Sequence, residues 1–448
     1  MSKSPMESRI FFDEDLYKRE IRKVALSISG FIFLYLLLFL FTIAVAIFAA
    51  LAGIVLAMGY PHLITIAVGI SLALFGLFIV YFMIKFLFVK NDVTDLYRIE
   101  ISRDEEPELF NLIEDIARQV DTESPGKVYL SHRVNASVFY NSFSFWTLLF
   151  PVKKNLEIGL GLFNTLNVSE LSSIIAHEFG HFSQRSMKFG PYIYHANRVI
   201  YNMLYQNEAW ETNVNNIGNQ YWAFKIFSSL SLYYAQFVKG VMQKVYEFIN
   251  VRYMSLSRQM EFHADSIAVG IFGSEAFKKA MLKVEWTDVA MNETLDALTS
   301  VSDENLKSKN LFNCQQYVIK ELAVLNDVKF TEGTIEIKTE GENKDRYRPR
   351  VKIEDQWASH PLMSERLENA EALNISQPVN GALCWTLLAR QNITQERLTE
   401  HVYTIANVSA SGELTGEEFG RRYTQKLDLY SYPKVYNGYY NNRSIESF

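Results

Sequence analysis

Two stretches of the chain carry no charged residue: Val24 to Met58 and Leu63 to Ile84, separated only by Gly59-Tyr-Pro-His62. Each exceeds the roughly 20 apolar residues needed to span a bilayer, and Gly and Pro between them break the helices where they meet water. The pattern predicts a transmembrane helical hairpin over residues 24–90, with spans at about 24–58 and 63–87, after a short N-terminal segment, residues 1–23. A cleaved signal peptide would have an apolar core of roughly 7–15 residues and no second span directly behind it. Lys18, Arg19, Arg22 and Lys23 precede the first run and Lys85 and Lys90 close the second, while the connecting loop has no lysine or arginine. The positive-inside rule then puts both ends of the hairpin, and the bulk of the protein from about Asn91, in the cytoplasm.

Downstream the periodicity changes. Leu109, Phe110, Leu112, Ile113, Ile116, Ala117 and Val120 fall at helical spacing after Glu106-Pro107, so one face of this helix is to be buried. Ser124-Pro-Gly126 ends it, and Val128–Leu130, Asn135–Tyr140 and Leu156–Leu160 read as strands of a small sheet. A second helix starts after Asn167, with Asn167 and Glu170 at capping-box spacing. From Pro191 to Gly273 the pattern is long, helical and aromatic; the uncharged piece Ile226–Val238 is short for a span and reads as a buried or membrane-surface helix. Residues of about 329–355 read as a hairpin or mobile insertion, and Tyr430–Phe448 has no clear period. The fold class expected is mainly α with a small β-sheet (α+β). A soluble domain over residues 91–373 follows the hairpin, and a C-terminal helical region and tail, 374–448, has no role that the pattern assigns.

Composition narrows the class. A net charge of -6 with no dense lysine and arginine cluster argues against a nucleic-acid partner. Cys314 and Cys384 are too few for a disulfide framework and unsuited to a thiolate metal site.

The chemistry is concentrated in Ala176-His-Glu-Phe-Gly-His181. On a helix, His177 and His181 stand one turn apart on one face, so two imidazoles can converge on one ion. Glu178 is offset from them, beside the open position where a carboxylate can take a proton from water. Two unpaired histidines buried in so apolar a helix would be costly, which weighs against a mere core accident. A catalytic zinc needs a third protein ligand. Gln184 and Met187 occupy the places where one class of site carries a third histidine, whereas Ser257–Asp265 offers Glu261 with Asp265 one turn on. His263 is the rival ligand, on a different face, and a solvated acidic face is the plain alternative for Glu261 and Asp265.

These pieces, with Pro107-Glu-Leu109, Asn135-Ala136, Glu170-Leu171, Ser257-Arg258, Ala264, and Ser359-His-Pro361 with Arg366, occur in an order and spacing that resemble a known family. It comprises the integral-membrane zinc metallopeptidases that include the HtpX heat-shock protease, the mitochondrial Oma-type protease and the type I CAAX prenyl endopeptidase, and the resemblance covers roughly Pro107 to Leu373. It implies a zincin domain of gluzincin type, one Zn2+ per chain held by His177, His181 and Glu261, and Glu178 as general base. It further implies that Asp265 is the carboxylate behind the ligands, held by Arg366, and that His360 faces the developing oxyanion. Asn135-Ala136 would be the edge strand along which substrate binds. The activity implied is peptide-bond hydrolysis in membrane or membrane-associated polypeptides, in quality control or processing, at a bacterial inner (cell) membrane. The alternatives are a CAAX-type prenylated-peptide endoprotease and a catalytically silent zinc-binding membrane scaffold.

Overall fold

The structure is a computed structural model, and it describes residues 14–88, 91–92, 96–139, 142–143, 153–181, 201, 204, 208–220, 222–331, 333–337 and 361–430. The chain opens with α1 (Glu14–Gly59) and α2 (Leu63–Phe88), joined at the Tyr60–His62 break. Both are long and apolar enough to cross a membrane, over Leu16–Gly59 and Leu63–Lys85. They approach each other at backbone distance. A Cβ on Gly53 would lie 2.6 Å from the Gly69 carbonyl oxygen, and one on Gly76 would lie 2.9 Å from that of Ala46. Small residues at such crossings let helices pack by van der Waals contact where no water drives association. Leu26, Phe33, Phe48, Met58, Leu63 and Leu77 remain exposed on the outside of the pair.

The expected small sheet is present, with one strand more than the pattern indicated. Its order is β2 (Arg98–Ile101), β3 (Val128–Ser131), β6 (Asn155–Gly159), β4 (Ala136–Phe139), with β3 and β6 parallel and the other pairs antiparallel. Two-residue β1 (Asn91–Asp92) and β5 (Ser142–Phe143) pair apart from it. Helix α3 (Pro107–Val120) starts on Pro107, whose missing N–H costs nothing in the first turn, and buries Leu109, Ile113, Ile116, Ala117 and Val120. Helix α4 (Val168–Gly180) begins at the capping box read from Asn167 and Glu170, with both reciprocal hydrogen bonds formed. Glu170 also meets Lys283 at 2.9–3.0 Å, both side chains buried.

The helical region after α4 contains α5 (Glu208–Gln220) and the 51-residue α6 (Trp222–Phe272). The uncharged piece Ile226–Val238 is the first third of α6, and only α1 and α2 qualify as spans among the described residues. Helix α7 (Ser274–Asp303), β7 (Leu306–Ser308) and α8 (Leu311–Leu325) complete the main core. Within the insertion, β8 (Lys329–Thr331) and β9 (Thr334–Glu336) form the expected hairpin, and residues 338–355 lie outside the described set.

After α9 (Met363–Leu373) come α10 (Gln391–Ile405), β10 (Gly412–Leu414) and α11 (Gly416–Tyr430). This C-terminal region is built into the core rather than appended to it. Cys384, Leu387, Leu398, Leu414 and Phe419 are buried with the residues of the sheet, α4 and α8, and β10 pairs in parallel with β7. Ala382 and Asn380 accept hydrogen bonds from the first-turn N–H groups of Val168 and Ser169, donors that a helix leaves unpaired. Cys314 and Cys384 are the plain buried thiols that sequence allowed; burial pushes Cys314 up to about 12.

Glu106, fully buried, is the pin for this region: its carboxylate accepts from the Ala389 and Arg390 N–H groups and from the Thr394 hydroxyl. Glu106→Ala orphans these donors and is expected to cost about 3 kcal/mol. Chemical denaturation in detergent reads the loss, and limited proteolysis is expected to cut first between residues 375 and 430.

Candidate active site

Helix α4 carries His177 and Glu178 in its last turn, and His181 follows as its C-cap with helical backbone (φ -61°, ψ -11°), so the one-turn spacing of the two imidazoles is kept. Their rings lie 4.8 Å apart at 85°. Helix α6 crosses here and supplies Glu261. His177 Nε2 is 3.4 Å from Glu261 Oε2, and His181 Nε2 is 3.6 Å from Glu261 Oε1. The close approach depends on Gly180, where a Cβ would lie 3.1 Å from Ala264 Cα. The glycine inside the histidine motif thus sets the distance between the two helices that carry the cluster.

Asp265, one turn beyond Glu261, is completely buried. Its Oδ1 is 2.9 Å from His177 Nδ1, and Arg366 of α9 grips both its oxygens, Nε to Oδ2 at 2.8 Å and Nη2 to Oδ1 at 2.5 Å. Arg366 Nη2 also stands 3.7 Å from Glu261 Oε2. A carboxylate on the far nitrogen of a histidine fixes its tautomer and ring orientation, which turns Nε2 toward the cluster. His263 does not join. It is buried on another face of α6, stacked on Tyr17 of α1 at 6.3 Å, and burial lowers its pKa to about 4. His360 and Ser359 lie outside the described residues.

The electrostatics divide the two histidines. Burial pulls His177 down, but its hydrogen bonds to Asp265 and Glu261 outweigh this and raise it to about 9. Burial and the neighbouring His177 charge push His181 down to about 3. Of the two imidazoles it is His177 that holds the extra proton, with which a divalent cation would compete. Burial raises the Glu178 carboxyl above its ordinary range, opposed by the charge on His177, raised further by Glu261 and lowered by a backbone hydrogen bond from Val138. A raised carboxyl pKa moves the group toward the range in which it exchanges protons near neutrality.

Val138 belongs to β4, one of the two outer strands of the sheet among the described residues. Gly159 N–H donates to the Asn135 carbonyl at 2.7 Å, so antiparallel alternation leaves the N–H and C=O of Ala136 and Val138 on the open edge. Asn135 is exposed and the Ala136 side chain is buried. The residue pattern alone did not reveal Val138 as a neighbour of Glu178; the register of β4 against β6 makes it one.

Two histidines one helical turn apart, a glutamate between them at an open strand edge, and a carboxylate from a second helix are the makings of a metal-dependent peptidase site. The chain belongs to peptidase family M48, whose sequence model matches residues 103–374. This is the zinc metalloprotease family of HtpX, the Oma-type protease and the CAAX protease. The match leaves out α1, α2 and residues 375–448. No curated protein and no solved structure matches the chain.

The donor set fits zinc. One atom from each of His177, His181 and Glu261 lies within 4.8 Å of the others. Zinc bonds of about 2.0–2.1 Å in a tetrahedron separate adjacent donors by about 3.4 Å, close to the 3.4 and 3.6 Å between imidazole nitrogens and carboxylate oxygens here.

Two variants test this support while leaving all three donors in place. Asp265→Asn is expected to weaken zinc binding by about 10–100-fold. Gly180→Val, which drives α4 and α6 apart, is expected to do at least as much. Competition with a chelator of known affinity reads both, and unchanged binding in Gly180→Val would show that the helix separation does not set the site.

Proposed function

We propose that this protein is a membrane-anchored zinc endopeptidase that cleaves membrane or membrane-associated polypeptides on the cytoplasmic side. The observation that carries the reading is the convergence of His177, His181 and Glu261 next to Glu178 and the open edge of β4. The anchor is supported by the length and exposure of α1 and α2, and the orientation by the lysines and arginines at both outer ends of the pair.

His177, His181 and Glu261 would hold the metal, with Asp265 and Arg366 fixing the orientation of His177. When bound, zinc supplies Lewis acidity, polarising the scissile carbonyl and lowering the pKa of the attacking water. Glu178 takes the proton from that water and passes it to the nitrogen of the leaving amine. An extended substrate adds to β4 through the N–H and C=O of Ala136 and the C=O of Val138, main-chain bonds that any sequence can make, while the Val138 N–H stays on Glu178. Asn135 at the strand entrance contacts the same chain. His360 is assigned the oxyanion as its partner, where a donor strengthens as charge develops on the carbonyl oxygen.

Glu178→Gln is expected to keep zinc and lose about 10²–10⁴-fold in cleavage of an unfolded membrane substrate, measured in detergent alongside metal content. Equal cleavage by the wild type and Glu178→Gln would sink the peptidase reading and favour a silent scaffold. Glu261→Ala is expected to lose most of the metal; full retention would mean that another residue is the third ligand.

A further inference from the structure

The stretches of α1 and α2 that qualify as candidate spans differ greatly in length, 44 and 23 residues. At 1.5 Å per residue they rise about 66 and about 34 Å, and only the second matches a hydrocarbon core of about 30 Å. The two helices leave the Tyr60–His62 turn together and stay paired: Gly53 meets Gly69, Ala46 meets Gly76, and the Tyr35 hydroxyl donates to the Met83 carbonyl. Helix α2 therefore ends level with Tyr35. Burying all of α1 would require a tilt of about 60°, beyond the 0–40° range of membrane helices, and α2 would then span half a bilayer. Charge marks the same level, since Lys85 sits over the rings of Phe82 and Trp210, and Lys239 pairs with Glu211.

From that level α1 continues toward the cluster with α6 antiparallel beside it. Thr42, on the turn side of that level, bonds Tyr234 at 2.5 Å; beyond the level Arg252 donates to Ser27 at 2.9 Å, and Tyr17 stacks on His263, two residues from Glu261. Phe31, Val24 and Tyr17 of α1 are buried along this seam, as are Val238, Met242, Ile249 and Leu256 of α6. The eighteen residue steps of α1 from Tyr35 back to Tyr17 make about 27 Å of rigid two-helix rod, or about 25 Å of height at the average tilt of about 20°.

We propose that the α1–α6 pair is a ruler: it holds the metal cluster about 25 Å from the hydrocarbon edge, so a membrane-embedded polypeptide is cut only beyond about eight unfolded residues from its span, at about 3.3 Å per extended residue. The inference rests on the reading above, in which α1 and α2 cross the bilayer and the cluster is a peptidase centre. The competing placement puts the bilayer edge at Val24, where the charge-free run ends. The cluster would then be within about 10 Å and the minimum spacer about three residues.

The test uses the full-length zinc-loaded protein in liposomes. Its substrates join a single spanning helix, through flexible spacers of about 2 to 20 residues, to one unfolded segment, which is also supplied free. The free segment is expected to be cut, and the tethered one at least about tenfold faster with a spacer of about 12 residues than with about three, the length below reach. Mass spectrometry of the products is expected to place the cuts about eight or more residues from the span. Rates within twofold across that range, or onset at about three residues, overturn the ruler while leaving the peptidase reading intact. A free segment left uncut overturns the peptidase reading and the ruler with it, and protein that does not float with the liposomes removes the anchor on which the ruler is measured.

Discussion

The buried carboxylate of Asp265 is the constraint on which the rest of the site depends. A charge removed from water in this way is tolerated only with well-placed partners. It has two, His177 from α4 and Arg366 from α9, while Asp265 itself belongs to α6. Three helices far apart in the chain are thereby tied at one point. The paired Arg366 bonds add direction as well as energy, because the guanidinium fork matches a carboxylate only in one plane. With that plane set, Nε2 of His177 faces Glu261, and the cluster is held in place by contacts of the fold.

The same economy of position runs outward from the cluster. Helix α6 belongs at one end to the apolar pair and at the other to the main core, so the packing of α1 and α2 and the position of Glu261 are properties of one element. The C-terminal region supports α4 from its opposite end, where Ala382 and Asn380 cap the first turn and Glu170 is held by Lys283. A helix fixed at both ends has little freedom to turn His177 away from Glu261. Residues beyond the family match thus contribute to the rigidity of the part that matches.

Much of this was legible in the chain because it depends on local pattern. The charge-free runs, the Asn167–Glu170 capping box, the Pro107 helix start and the histidine spacing are short-range signals, and each reappears in the structure. The choice between Glu261 and His263 was open on residue type alone; burial against Tyr17 takes His263 to another neighbour. Strand β2 was missed because Arg98-Ile-Glu-Ile101 is too short to establish alternation. The role of Glu106 was hidden for a different reason: beside Pro107 it reads as part of a helix start, and its partners lie more than 280 residues away.

The open edge of β4 has a consequence for what the site can select. In the proposed reading the N–H and C=O of Ala136 and the C=O of Val138 meet the substrate main chain, and main chain is what a folded domain keeps occupied in its own helices and sheets. A partner for this edge must offer several consecutive residues whose backbone groups are unpaired and extended. On that reading discrimination lies in the conformational state of the polypeptide more than in its side chains, and the loss of structure in the substrate would itself be the recognition signal.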